Sequence, residues 1–190
     1  ILFASTVNSA NSTPRALTAN AGTSTITFTG AVGGSQGLGN ISLTSTGTTT
    51  ISSTINAAAL TQNSITGTTA LNGGSITTTG AQAYGNAVTL GSALTTLTTT
   101  NSNITFSNTL NSSTSARALT LNAGSGAVSF SGIVGGTLAL GAVNSTAATT
   151  TNSATISGAG AYNVTGAAAF NAAVSGVASI SVSGATTIGA

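Results

Sequence analysis

Short runs in which apolar and polar residues alternate recur along the chain: Ile26-Thr27-Phe28, Ile41-Ser42-Leu43, Ile104-Thr105-Phe106, Val128-Ser129-Phe130 and Ile180-Ser181-Val182. A period of two puts the apolar side chains on one face of an extended backbone, so each run predicts a short, half-buried strand. Clusters of Gly, Asn and Ser separate the runs, as turns require. No stretch sustains a helical period, and runs such as Thr48-Thr49-Thr50 and Thr98-Thr99-Thr100 oppose helix through β-branching. The pattern is all-β.

The runs sit inside a longer repeat. Residues 15–34 read RALTANAGTSTITFTGAVGG, and residues 117–136 read RALTLNAGSGAVSFSGIVGG, an offset of 102 positions. The lead-ins also correspond after a one-residue slip, Ile1-Leu2-Phe3 with Val7-Asn8-Ser9 matching Ile104-Thr105-Phe106 with Leu110-Asn111-Ser112. A second similarity links Gly80-Ala81-Gln82-Ala83-Tyr84 to Gly158-Ala159-Gly160-Ala161-Tyr162, 78 positions on. The two offsets differ by about the length of one solenoid coil, which is what gain or loss of a coil produces in a one-dimensional stack.

Three all-β forms compete for this pattern. A sandwich needs long hairpins, and tight hairpin signals are scarce, Asn72-Gly73 being one. An outer-membrane barrel needs strands of about ten residues and aromatic girdles; five Phe and two Tyr are too few. A β-solenoid accounts for short strands, Gly/Asn corners and a long repeat together. The expectation is a right-handed parallel β-helix of about 20-residue coils, roughly five coils per long repeat and roughly 45 Å long in all. Residues 1–190 then form a single solenoid segment, in which 1–103 and 104–190 are sequence repeats and not separate domains.

Composition narrows the function. The 190 residues hold two Arg and no Lys, Asp, Glu, His, Cys, Met or Trp. General acid–base catalysis is left with Tyr84 and Tyr162 alone, and the abundant Ser and Thr hydroxyls have no side chain to act as base. Metal sites have no Cys, His or carboxylate ligand. The expectation is therefore no enzyme, no catalytic or metal-ligating residue and no cofactor. Two positive charges cannot make a nucleic-acid footprint, no 18-residue apolar run predicts a membrane span, and the absence of Cys leaves no disulfide framework. Hydrophobic residues at 40% and a mean hydropathy of +0.42 argue against disorder. A chain this poor in charge tends to associate. Beginning at Ile1 without a signal sequence, it reads as a segment cut from a longer protein or as a mature product. Inside the coils, Ile, Leu, Val, Ala and Phe are expected to stack in ladders; outside, Thr and Ser suit an uncharged pleated face, and Asn is expected to form amide ladders at turns.

The string RALTLNAGSGAVSFSGIVGG and the flanking GNAVTLGSALTTLTTTNSNITFSNTL resemble the repetitive shaft of filamentous-haemagglutinin-like exoproteins, large bacterial surface adhesins. The likeness runs over nearly the whole chain. It implies secretion to the bacterial surface, a right-handed β-helix, and a role in adhesion or fibre formation; separately, open end coils would expose strand edges and apolar surface, so the chain, if a whole subunit, is expected to assemble end to end into a filament. The partners it implies are further copies or a longer chain, with host or surface glycans as adhesion targets. The alternative is a surface binder, taking glycan or ice on a Thr-rich face.

Individual residues have competing readings. Arg15 and Arg117 could contact an acidic partner, but the favoured reading is a solvated coil-edge charge that discourages lateral aggregation. Tyr84 and Tyr162 could stack on sugars, but the favoured reading is a corner residue with its ring inside and its hydroxyl outside. The Thr triplets at 48–50, 77–79, 98–100 and 149–151 are not spaced by one coil period, which disfavours a regular ice lattice. Gly33-Gly34 and Gly135-Gly136 lack the Lys and the strand–loop–helix setting of a phosphate loop. The sequons at Asn11, Asn40 and Asn163 are expected by chance in so Asn- and Thr-rich a chain.

Overall fold

The structure, a computed structural model, describes residues 1–189. Every strand pairing among them is parallel, no helix occurs, and the chain winds through about 9 turns of a β-solenoid with successive coils about 21 residues apart. At about 4.8 Å per coil the stack is roughly 43 Å long.

Each coil contributes to three faces in fixed order. The first face stacks Leu2–Phe3, Ile26–Phe28, Thr48–Ile51, Thr68–Leu71, Ala87–Leu90 and Leu110–Ser112, then narrows to single bridges at Val134, Ile156 and Val174. The second face begins as bridges at Val7 and Val32 and widens into Ser75–Thr78, Leu94–Thr99, Ala118–Asn122 and Val177–Val182. The third face runs from Leu17–Gly22 through Gln82–Tyr84, Ile104–Phe106 and Ala127–Phe130 to Thr186–Ile188. Long strands such as Ile55–Gln62, Val143–Asn152 and Ala159–Phe170 turn the corner between the second and third faces and join them into one 13-stranded sheet. Asn72-Gly73, the hairpin signal, lies at a corner instead: Thr68–Leu71 and Ser75–Thr78 belong to different sheets.

Register explains the alternation. On the third face, Leu17, Ile41, Leu60, Gln82, Ile104, Val128, Thr150, Ala168 and Thr186 form one inward column, and Ala19, Leu43, Gln62, Tyr84, Phe106, Phe130, Asn152, Phe170 and Ile188 form the next. Between them, Thr18, Ser42, Thr61, Ala83, Thr105, Ser129 and Thr151 point outward. Each fully buried Leu, Ile or Phe in these columns contributes about 1.5–3 kcal/mol. Rings stack where they meet: Tyr84 on Phe106 at 5.1 Å, Phe106 on Phe130 at 5.2 Å, and Phe3 on Phe28 at 4.6 Å, all within 12° of parallel.

The interior is less apolar than the sequence suggests. Gln62, Gln82, Thr69, Ser145, Thr150 and Asn152 are buried inside the coils. Inward positions cannot all be apolar in a chain this rich in Thr, Ser and Asn, and many of these polar groups find partners inside the coils, although Gln62 Nε2 and Asn152 Nδ2 are buried without one. Gln82 Nε2 donates to Thr98 O at 2.9 Å and Ile76 O at 3.2 Å, Thr69 Oγ1 donates to Gln62 Oε1 at 2.7 Å, and the Ser145 and Thr150 hydroxyls lie 2.8 Å apart.

Candidate functional surfaces

The long repeat reproduces local structure closely. Asn8 Oδ1 accepts from the backbone N–H groups of Ser35 and Gln36, and Asn111 Oδ1 accepts from those of Thr137 and Leu138. The backbone N–H of Arg15 donates to Ser9 Oγ at 2.8 Å, and that of Arg117 to Ser112 Oγ at 2.9 Å. Gly33 and Gly135 hold φ of +71° and +70°. A Cβ at either would strike the carbonyl oxygen of the next coil, at Asn56 or Gly158.

The two copies nevertheless face different ways. Leu17–Gly22 lies on the third face of the first coil, whereas its counterpart Ala118–Asn122 lies on the second face of the sixth. Ile26–Phe28 is on the first face and Ala127–Phe130 on the third, while Val32 is on the second and Val134 on the first. The repeat thus spans four and two-thirds coils, not five, and each copy is turned back by one face. Tyr84 on the third face and Tyr162 on the second, opposite Val143 and Ile180, are displaced in the same sense with one whole coil fewer. The two offsets therefore do differ by one coil.

Each candidate residue has a definite place. Arg15 is exposed; Arg117 is half-buried and donates from Nη2 to Thr114 Oγ1 at 3.1 Å. Tyr84 and Tyr162 are both 0% exposed, hydroxyl included. Tyr84 Oη donates to Gln82 Oε1 at 2.9 Å and Tyr162 Oη to Asn152 Oδ1 at 2.8 Å. The expected outward hydroxyl is overturned, because buried Gln and Asn side chains give each phenol an acceptor inside the coil. Burial pushes both phenols well above their ordinary ionisation range, the Asn152 bond slightly offsetting this for Tyr162. Neither ring is open to a sugar.

Two of the four Thr triplets, 21 residues apart, stack in register, Thr77 and Thr78 against Thr98 and Thr99, while the other two lie on other faces, so no lattice runs through all four. Thr48–Thr50 lie on the first face and Thr149–Thr151 on the third, while Thr77 and Thr98 pair on the second. Sequence reasoning missed the array that the second face does carry. One outward column runs Ser75, Thr96, Thr120, Asn144, Asn163 and Ser181; two residues along, another runs Thr77, Thr98, Asn122, Thr146 and Thr165. Unequal coil lengths hide these columns from any fixed-period search. Amide rungs tie them: Asn163 Nδ2 donates to Asn144 Oδ1 at 2.8 Å and Asn122 Nδ2 to Thr98 Oγ1 at 3.4 Å. The expected amide ladder thus appears on a strand rather than at a turn. Of the sequons, Asn11 sits exposed at a turn with φ +57°, Asn40 is exposed on a strand, and Asn163 is engaged in the amide rung.

The two ends of the stack are the remaining surfaces. The last coil leaves an open cavity of about 700 Å³ lined by Phe170, Val174, Ile180, Val182, Thr186 and Ile188. At the other end Ile1 and Leu2 are exposed, and Phe3 is half-buried. No protein-family model matches this chain, no curated protein is significantly similar to it, and no solved structure matches it.

Proposed function

We propose that this chain is a non-catalytic structural segment, a rigid β-solenoid shaft of a secreted bacterial surface fibre or adhesin. The observation that carries the reading is parallel stacking through all the described coils, in which every coil serves as the platform for the next. Its resemblance to adhesin shafts supports the placement at the cell surface. The non-catalytic part of the reading is supported by the burial of the two phenols, the side chains that the composition leaves as candidates for acid–base work. Extension by coil stacking is the mechanism: rigidity comes from backbone ladders and inward columns, and reach comes from coil number.

Immunogold labelling of intact source cells with antibody against the segment tests the location. Label on the outer surface or on shed fibres is expected, and label confined to the cytoplasm of sectioned cells overturns it. The two-column hydroxyl and amide array of the second face supports a second reading, a surface that binds glycan or ice. Glycan-array binding or thermal hysteresis that vanishes in Thr98→Val/Thr146→Val is the expected sign, and a null in both assays removes this reading.

A further inference from the structure

Asn72-Gly73 carries a hairpin signal but makes no hairpin. It occupies the bend between Thr68–Leu71 on the first face and Ser75–Thr78 on the second. It is also the one place in the chain where Asn precedes Gly. The residue after an Asn holds its backbone nitrogen near the Asn side-chain amide. Gly, with no Cβ, shields that nitrogen least and turns most freely toward the amide.

The fold leaves this pair of groups unoccupied. Asn72 is exposed, and among the described residues nothing bonds its side-chain amide or accepts from the Gly73 N–H. The bend is anchored beside them instead: Asn72 N–H donates to Ile51 O at 2.8 Å, and Leu71 O accepts from Gly91 N–H at 2.9 Å. Other Asn positions differ. The Ser nitrogens that follow Asn8, Asn101, Asn111 and Asn152 donate to Gln36 O, Thr99 Oγ1, Leu138 O and Phe130 O. Packing also keeps Gly at position 73, because a Cβ there would strike Ser53 O of the preceding coil.

We propose that Asn72-Gly73 is a self-modification site, at which the folded chain converts a side-chain amide into a carboxylate. The Gly73 nitrogen loses its proton to hydroxide and attacks Cγ of Asn72. The Cγ–Nδ2 bond breaks, Nδ2 takes a proton from water and leaves as ammonia, and a five-membered succinimide closes. Water then opens the ring. Cleavage between Cγ and the nitrogen gives aspartate at position 72; cleavage between the backbone carbonyl carbon and the nitrogen gives isoaspartate. One water is consumed, one ammonia is released, and nothing is oxidised or reduced. Either product places a carboxylate in a chain that has none and removes one of its two net positive charges. Isoaspartate also adds a methylene to the main chain just before Ser75 and Thr77 of the second-face array, so that product shifts this rung against Thr96 and Thr98.

The test is incubation of the folded chain in warm, mildly alkaline buffer made with heavy-oxygen water, followed by peptide mass mapping. Heavy oxygen should enter first at position 72, with isoaspartate identified by isoaspartyl methyltransferase labelling. Asn11-Ser12, exposed but with a side chain on its second residue, should react about tenfold more slowly, and the four bonded Asn-Ser sites more slowly still. Asn72→Gln needs a larger ring and should lose the label at this position, with circular dichroism confirming its fold. Folding should slow the reaction at position 72 by less than about tenfold relative to the chain in urea. Greater protection on folding overturns the proposal, as does label at Asn11 ahead of Asn72 or label at position 72 that persists in Asn72→Gln.

Discussion

The two copies of the long repeat share a sequence and a local structure but not a direction. Asn8 and Asn111 cap the same loop, Gly33 and Gly135 take the same left-handed turn, and Phe28 and Phe130 fill the same inward position. Yet the copies lie a third of a turn apart around the axis. The difference teaches that what recurs is a unit of winding, not a unit of surface. A flat ligand lattice needs the same outward residues on one face at every repeat, and this repeat moves them to another face each time. Coil stacking asks only that inward positions stay inward, which rotation by one face preserves.

The largest test breaks the equivalence of the two ring positions. Phe130→Ala removes a ring stacked on Phe106 inside the coils, and Phe28→Ala one stacked on the half-buried Phe3. Each should cost about 3–5 kcal/mol in urea denaturation, with Phe130 the larger; equal costs would show that the second coil is packed as firmly as the sixth. The next test uses the two phenols. Their folded-state ionisation is pushed above the ordinary value near 10, so the stability they confer is complete below it and is lost as pH rises through and beyond it. With no Asp, Glu, His, Lys or Cys, the melting temperature should stay flat from mildly acid solution to about pH 9. Above pH 10 stability should fall by up to about 3 kcal/mol per pH unit, and Tyr84→Phe or Tyr162→Phe should each remove about half that slope. A slope untouched by both variants would mean that the alkaline loss has another source.

Smaller effects sharpen the likeness of the copies. Gly33→Ala and Gly135→Ala force a side chain into a left-handed turn against the neighbouring coil's carbonyl, and each should cost about 2 kcal/mol or more. Unequal losses would show that the two loops are not equivalent. Asn8→Ala and Asn111→Ala each strip an acceptor from two backbone N–H groups. About 1 kcal/mol is expected for each, with faster hydrogen exchange at Ser35 and Gln36 or at Thr137 and Leu138.

Much of this fold is legible in the sequence. Alternating runs such as Ile104-Thr105-Phe106 give strands, and the long repeat gives a stack. The face each strand occupies is not legible, because coils vary in length and a few extra residues in a corner loop rotate everything that follows. The phenols were misplaced for a related reason. Whether a hydroxyl points in or out depends on an acceptor such as Gln82 or Asn152, and those residues read as surface until the register brings them inside. The polar array of the second face escaped notice for the same cause as the rotation: its members sit at unequal intervals.

All coil-to-coil hydrogen bonds lie along the stacking axis, and the chain enters at one end of the stack and leaves at the other. Tension applied between the ends therefore loads the coils in series, so the stack peels coil by coil instead of shearing at once. Each released coil, about 21 residues, pays out roughly 70 Å of slack. A stack pulled from its two ends would lengthen many-fold before its backbone was drawn fully taut, and with coils that pair only with their neighbours, each could rewind on the one below when the force dropped.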